Sequence, residues 1–166
     1  MTFSVEVGED IKSLDLPYSE IFGEVARAAL DHTSCPYECE ISLILTDDDD
    51  IRRMNKEFRG IDAATDVLSF PMIEFDEPGD FGCVSGNEAE YLDPDTGDLM
   101  LGDIVISTDH VLAQAEAYGH SVKREFAFLI SHSMLHLQGF DHIEPGEAAV
   151  MEAAQEQILD KLKIRR

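Results

Sequence analysis

Residues 121–142 read Ser-Val-Lys-Arg-Glu-Phe-Ala-Phe-Leu-Ile-Ser-His-Ser-Met-Leu-His-Leu-Gln-Gly-Phe-Asp-His. His132 and His136 are four apart, so on an α-helix they stand one turn above the other on one face. Ser121 suits the cap of such a helix, and Gly139 falls where helices commonly end in a left-handed residue. The chain can then reverse and carry His142 back towards the first two histidines. Three converging imidazoles are a ligand set for a tetrahedral ion with one position left open. A single His on a helix is ordinarily a core or surface residue, and an isolated His-x3-His pair is commonly fortuitous. Here a third His lies within reach, a Gly supplies the turn, and the helix is apolar on nearly every side through Val122, Phe126, Leu129, Ile130, Met134 and Leu137. A helix of that composition is buried, and buried imidazoles need partners. Zinc comes first among the candidate ions because imidazole suits it.

The remainder of the chain supplies a setting for this helix. Its 166 residues predict one domain, 1–166, with a real core. Phe3, Val5 and Val7 alternate with polar residues as in a half-buried strand. Pro17 opens a helix that runs to about His32, and Glu40 to Thr46 reads as a second strand. Asp47 to Asp50 resembles a cation site, but Ile51, Met54 and Phe58 follow at helical spacing. The acids therefore read as a helix start capped by Thr46, with the helix ending at Arg59-Gly60. Thr65 to Pro71 is a third strand, with Pro71 at an edge or strand end. Leu99 to Ser107 is nearly continuous in apolar residues, as in a central strand buried on both faces. Asp103 within it would then be a buried carboxylate in need of a partner. A further helix runs from Ser107 or Thr108, either of which can cap it, to about Tyr118. Pro145 opens a last one, with Met151, Ala154, Ile158 and Leu162 on one face. The tail Lys161, Lys163, Arg165, Arg166 is basic, as suits a helix C-terminus. Residues 74–98 hold nine acids and neither Lys nor Arg, and read as a long, mobile surface loop. Calcium binding by Asp93, Asp95 and Asp98 lacks the expected loop pattern. The resulting fold class is α+β or mixed α/β: a four-stranded mixed sheet packed with about five helices, the histidine helix against it.

Composition narrows the function. The formal net charge is −23, which opposes a nonspecific grip on nucleic acid or anionic membrane. Any RNA binding needs a local basic patch or a bound cation. No apolar run has transmembrane length, and the N-terminus lacks the features of a signal peptide. Cys35, Cys39 and Cys83 read as free thiols of a reducing cytoplasm.

Three neutral imidazoles leave a divalent ion its full charge, so a bound water would ionise at about pH 7 and a phosphoryl or carbonyl oxygen would be polarised. The generic reading is a metal-assisted hydrolase. Zinc peptidases place a Glu directly after the first His; here that position is Ser133, a poor base. Help must come from elsewhere. Arg59, at a helix end before a loop, could hold a phosphate with its fork of donors, although a cation at a helix C-terminus is also expected on dipole grounds alone.

The segment His-Ser-Met-Leu-His-Leu-Gln-Gly-Phe-Asp-His at 132–142 resembles the signature of the YbeY family, His-Gly-x-Leu-His-Leu-x-Gly-Tyr-Asp-His. Asn55 to Gly60, Thr65 to Pro71, Leu101 to Ser107 and the closing helix around Met151, Glu152, Glu156, Ile158 and Leu159 resemble further family blocks in the same order. Ser133 stands where the family has Gly, and Phe140 where it has Tyr. The resemblance implies a cytoplasmic bacterial endoribonuclease that prefers single-stranded RNA. Its implied work is forming the 3′ end of 16S ribosomal RNA and quality control of ribosomes. The implied partners are ribosomal RNA and the small ribosomal subunit with its proteins, and no membrane. It implies a metal helix related to that of zinc peptidases, and one zinc per chain held by His132, His136 and His142. The family's functional arginine falls on Arg59, making Arg59 and His132 the candidate catalytic residues. Two other readings remain: a ribosome assembly factor that does not cut and keeps zinc as a staple, and a zinc hydrolase of peptides or other small substrates.

Overall fold

The computed structural model describes residues 1–164. Among them the chain runs β1 (Thr2–Val7), α1 (Tyr18–His32), β2 (Cys39–Thr46), α2 (Asp48–Arg59), β3 (Val67–Pro71), a 3-10 turn (Phe81–Cys83), α3 (Glu88–Tyr91), β4 (Leu99–Ser107), α4 (Thr108–Tyr118), α5 (Val122–Leu137) and α6 (Pro145–Lys161). The sheet order is β1-β2-β4-β3. β1, β2 and β4 are parallel, and β3 joins β4 antiparallel, so the sheet is mixed and the fold is α+β. β3 is an edge strand and Pro71 is its last residue, where a missing N–H costs no ladder bond. Ser107 caps α4 and Ser121 caps α5, each hydroxyl accepting a backbone N–H three residues on. Gly60 and Gly119 close α2 and α4 in the left-handed conformation.

One large core lies between the sheet and α1, α5 and α6. A second, small one lies under α2 on the other face, where Ile51, Leu68 and Val105 pack with Met54 and Phe70. α5 is the hub: Phe126, Leu129, Ile130, Met134, Leu135 and Leu137 are buried. Its first turn buries charge as well. Arg124 donates to the carbonyl of Ile164, and Glu125 accepts from Gln114.

Several expectations are corrected. Asp103 is exposed, not buried. The register between β2 and β4 slips at Glu40/Ile41, so Leu101 is an extra residue in a β-bulge. The bulge changes the parity of β4. Leu99 and Leu101 before it and Ile104 and Ile106 after it all face the same core, and Asp103 turns to the opposite face beside Ser42. Gly102 makes this fit: a Cβ there would lie 2.4 Å from the carbonyl oxygen of Phe70.

Residues 74–98 are not a bare surface loop. They contain a 3-10 turn and the one-turn α3, which makes six α-helices among the described residues, in line with the expected number of about five, and they bury Phe81 and Val84 in the main core. The cap of α2 is Asp47, which accepts from the N–H of Asp50; Thr46 instead donates to the Asp50 carboxylate. β3 starts at Val67 and leaves Thr65 and Asp66 outside the strand. The three cysteines are free thiols. Lys161 ends α6 near Asp31, whereas Arg165 and Arg166 of the basic tail lie outside the described residues. Among those described, no helix is long and apolar enough to cross a membrane.

Candidate metal centre

α5 carries His132 and His136 one turn apart, with their Nε2 atoms 3.1 Å from each other. Beyond the helix end Gly139 takes φ +92°, and the next residues fold back so that one nitrogen from each of His132, His136 and His142 lies within 4.8 Å of the others. The reversal is held from both sides. His136 Nδ1 donates to the carbonyl of Phe140 at 2.9 Å. From the 74–98 segment, the N–H of Gly79 donates to the carbonyl of Gln138 at 2.8 Å, and Phe75 fills the space beside Gly139 so closely that a Cβ there would sit 2.6 Å from its own.

The contact to Phe140 fixes the tautomer of His136. With Nδ1–H of His136 given to Phe140, its Nε2 carries a bare lone pair. His132 Nδ1 lies 2.5 Å from the side-chain amide of Gln155 on α6. As placed, the amide Nε2 of Gln155 donates to His132 Nδ1, and His132 Nε2–H then donates to the lone pair of His136 Nε2; with the amide turned end for end, its oxygen accepts from Nδ1–H and Nε2 of His132 is bare. The 3.1 Å between the two Nε2 atoms is bridged by one proton in the first arrangement and would be bridged by a cation in the second. Three imidazole nitrogens gathered on one point fit a divalent ion of borderline softness, and the half-buried rings of His132 and His136 are each oriented by a second partner.

Burial, and then the neighbouring His136 and His142, push His132 down to about 4, and burial likewise holds His136 below the usual histidine range. Both rings are thus neutral and ready to ligate at neutral pH. The unfolded chain takes up a proton near pH 6.5 that folded His132 refuses. Metal-free protein is therefore expected to lose stability as pH falls from 6.5 to 4, by on the order of 3 kcal/mol from this group, and to be unaffected by it above 6.5. Urea unfolding across that window should show a shallower pH slope in His132→Asn, which lacks the titrating ring. Gln155→Ala leaves the ligands intact but frees the His132 ring, and should weaken metal affinity about 10- to 100-fold. A competition assay with a chelator measures this, and an unchanged affinity would assign Gln155 to packing alone.

The histidines open onto a groove of about 860 Å³, whose other walls include Arg59, Asp66, Phe70 and Ile143. Arg59 reaches it from the last turn of α2 and is exposed. Among the described residues it is the one Lys or Arg lining this groove, and no carboxylate holds it. Its charge is among those that keep His136 low. Ser133 is buried and its hydroxyl is 2.5 Å from that of Ser69 on β3. The position where zinc peptidases carry a base thus ties the metal helix to the edge strand. Phe140 supplies its backbone carbonyl, which any residue could supply.

Sequence reasoning missed Gln155 and the groove position of Asp66. A polar residue on the apolar face of α6, between Ala154 and Ile158, was the available signal for Gln155. Asp66 looked like one more strand residue.

The fold and site define an α+β protein with a three-histidine centre, able to hold a metal ion, on the helix at the heart of its core. The model of the family described as Endoribonuclease YbeY matches residues 6–163. The chain is 50% identical over 166 residues to the Endoribonuclease YbeY of Lachnoclostridium phytofermentans and 52% identical to that of Agathobacter rectalis, covering all of both chains in each case. A solution structure of a Thermotoga maritima protein shares the fold, with TM-score 0.57 and 20% identity over 98% of this chain and 92% of that one. The chain belongs to the Endoribonuclease YbeY family.

Proposed function

We propose that the protein is a metal-dependent endoribonuclease that cuts single-stranded RNA, with one zinc ion held by His132, His136 and His142. Its proposed task is maturation of the 3′ end of 16S ribosomal RNA and quality control of ribosomes, in the cytoplasm and in contact with the small ribosomal subunit and its proteins. The observation that carries the reading is a single groove onto which three imidazoles and an unpaired guanidinium converge. A divalent ion supplies a Lewis acid beside a phosphodiester. The imidazoles add no charge that would weaken it. Arg59 offers two parallel N–H groups to the phosphate oxygens, a match of plane and spacing that a lysine lacks. A groove of this size, at the upper end of small-molecule sites, has room for more than a single nucleotide. Peptidase chemistry is disfavoured by the buried Ser133, whose hydroxyl is already used by Ser69.

A second reading, assembly without cutting, draws on the charge of −23, which suits contact with basic ribosomal proteins. The two separate in one experiment. Wild-type protein with its metal counted is incubated with a single strand matching the ribosomal 3′ end. Cleavage is expected, lost with chelator and restored by zinc. A strand with one 2′-deoxy sugar at the cut site then decides whether the RNA's own 2′-hydroxyl attacks. Fully metal-loaded protein that leaves the strand whole would transfer the site to the assembly role.

A further inference from the structure

The charge of this protein poses a problem for its substrate. Proteins that grip nucleic acid through its backbone commonly set several Lys or Arg against phosphates. Here the net charge is −23, and among the described residues Arg59 is the one Lys or Arg that the groove offers, together with the acids Asp66 and Asp141. Long-range attraction is absent, so the holding energy has to come from the uncharged part of the nucleotide. Unpaired bases provide it by stacking on aromatic rings, which is sequence-tolerant because every base has a π-face.

The groove has such a ring. Phe58 is 62% exposed, a state a Phe in a folded domain ordinarily avoids. It lines the groove that holds the histidines, directly before Arg59 in the last turn of α2. The ring is also braced: it meets Phe70 of β3 edge to face, centroids 5.3 Å apart at 75°. Phe70 itself packs on the small core under α2. The brace fixes the ring and leaves most of its surface to solvent. Ile143, 78% exposed, lines the same groove and adds a second apolar surface.

We propose that Phe58, braced by Phe70, is a stacking platform for one unpaired nucleobase, whose own phosphate then falls beside Arg59 and the metal centre. The proposal rests on the endoribonuclease reading and deepens it. It explains a preference for single strands from this chain's own residues, since a base inside a duplex has no free face to offer. It also separates two neighbouring tasks: Phe58 holds a base and Arg59 meets the phosphate.

The test uses metal-loaded protein. Phe58→Leu still packs on Phe70 but has no π-face. Its KM for a single-stranded RNA is expected to rise about 5- to 150-fold, the range for loss of one stacked base, with kcat and metal content close to wild type. Phe58→Tyr is expected to recover the wild-type KM. The chain contains no Trp, so Phe58→Trp introduces a single reporter. Its emission should be quenched by the RNA and not by an abasic strand of equal length. Affinity should fall with salt at a log–log slope no steeper than about −1.5, as for roughly two phosphate contacts to a single strand. An unchanged KM in Phe58→Leu, or equal quenching by the abasic strand, would overturn the proposal. If wild type binds RNA but never cuts it, the nuclease reading fails, and the quenching experiment still decides whether Phe58 stacks a base.

Discussion

His136→Ala is expected to lose both the metal and RNA cleavage, and to do so more completely than His142→Ala. Spread over four ligands, the affinity of a tight zinc site amounts to about 3 kcal/mol each, so loss of one weakens binding on the order of 10²-fold or more. His136 has a second task that His142 lacks. Its Nδ1–H holds the carbonyl of Phe140, and that bond closes the turn that returns His142 to the centre. Removing His136 therefore deletes one ligand and releases another. His142 is exposed and its loss removes only itself. Metal per chain, measured by atomic absorption after dialysis, should be near zero in His136→Ala and partial in His142→Ala, with circular dichroism reporting the fold in each. A His136→Ala protein that keeps one metal per chain and cuts RNA would exclude the three-histidine site.

Arg59→Ala should lower cleavage about 10²- to 10³-fold, the usual cost of removing one preorganised charge from a developing anion, and leave metal content unchanged. The side chain is exposed, it ends a helix in which Ala is well tolerated, and Gly60 makes the left-handed turn that follows. The fold therefore has no reason to change, and the deficit reads as chemistry. Arg59→Lys keeps the charge but loses the planar fork, so only part of the rate should return. Equal rates in Arg59→Ala and wild type would mean that the arginine is a solvated helix end, as helix-dipole considerations alone allow.

The separation of metal loss from rate loss in these two variants follows from where the residues sit. The histidines lie on α5 and the turn after it, buried in or braced by the core. Arg59 comes from α2, on the opposite face of the sheet, and meets them only across the groove. The two halves of the site are attached to different layers of the fold and can be altered independently.

What the sequence determined by itself are the features set within a few residues: the helical spacing of His132 and His136, the caps Ser107 and Ser121, the left-handed glycines at 60, 119 and 139, and Pro71 at a strand end. Their causes are local, since caps, turn conformations and the 3.6-residue period depend on neighbours up to about four positions away. Tertiary structure decided the rest. The alternation of β4 reads as a continuous apolar run until the bulge at Leu101 re-phases it and exposes Asp103, and that slip depends on pairing with β2, some sixty residues earlier in the chain. Gln155 meets His132 only because α6 packs on α5. The acidic composition of 74–98 predicted a solvated loop, but Phe75, Phe81 and Val84 have greater weight than the acids around them, because burial of a few large apolar side chains outweighs exposed charge that stays in water anyway. That segment braces the turn that returns the third histidine, a role set by contacts across the fold and not by any pattern within the segment.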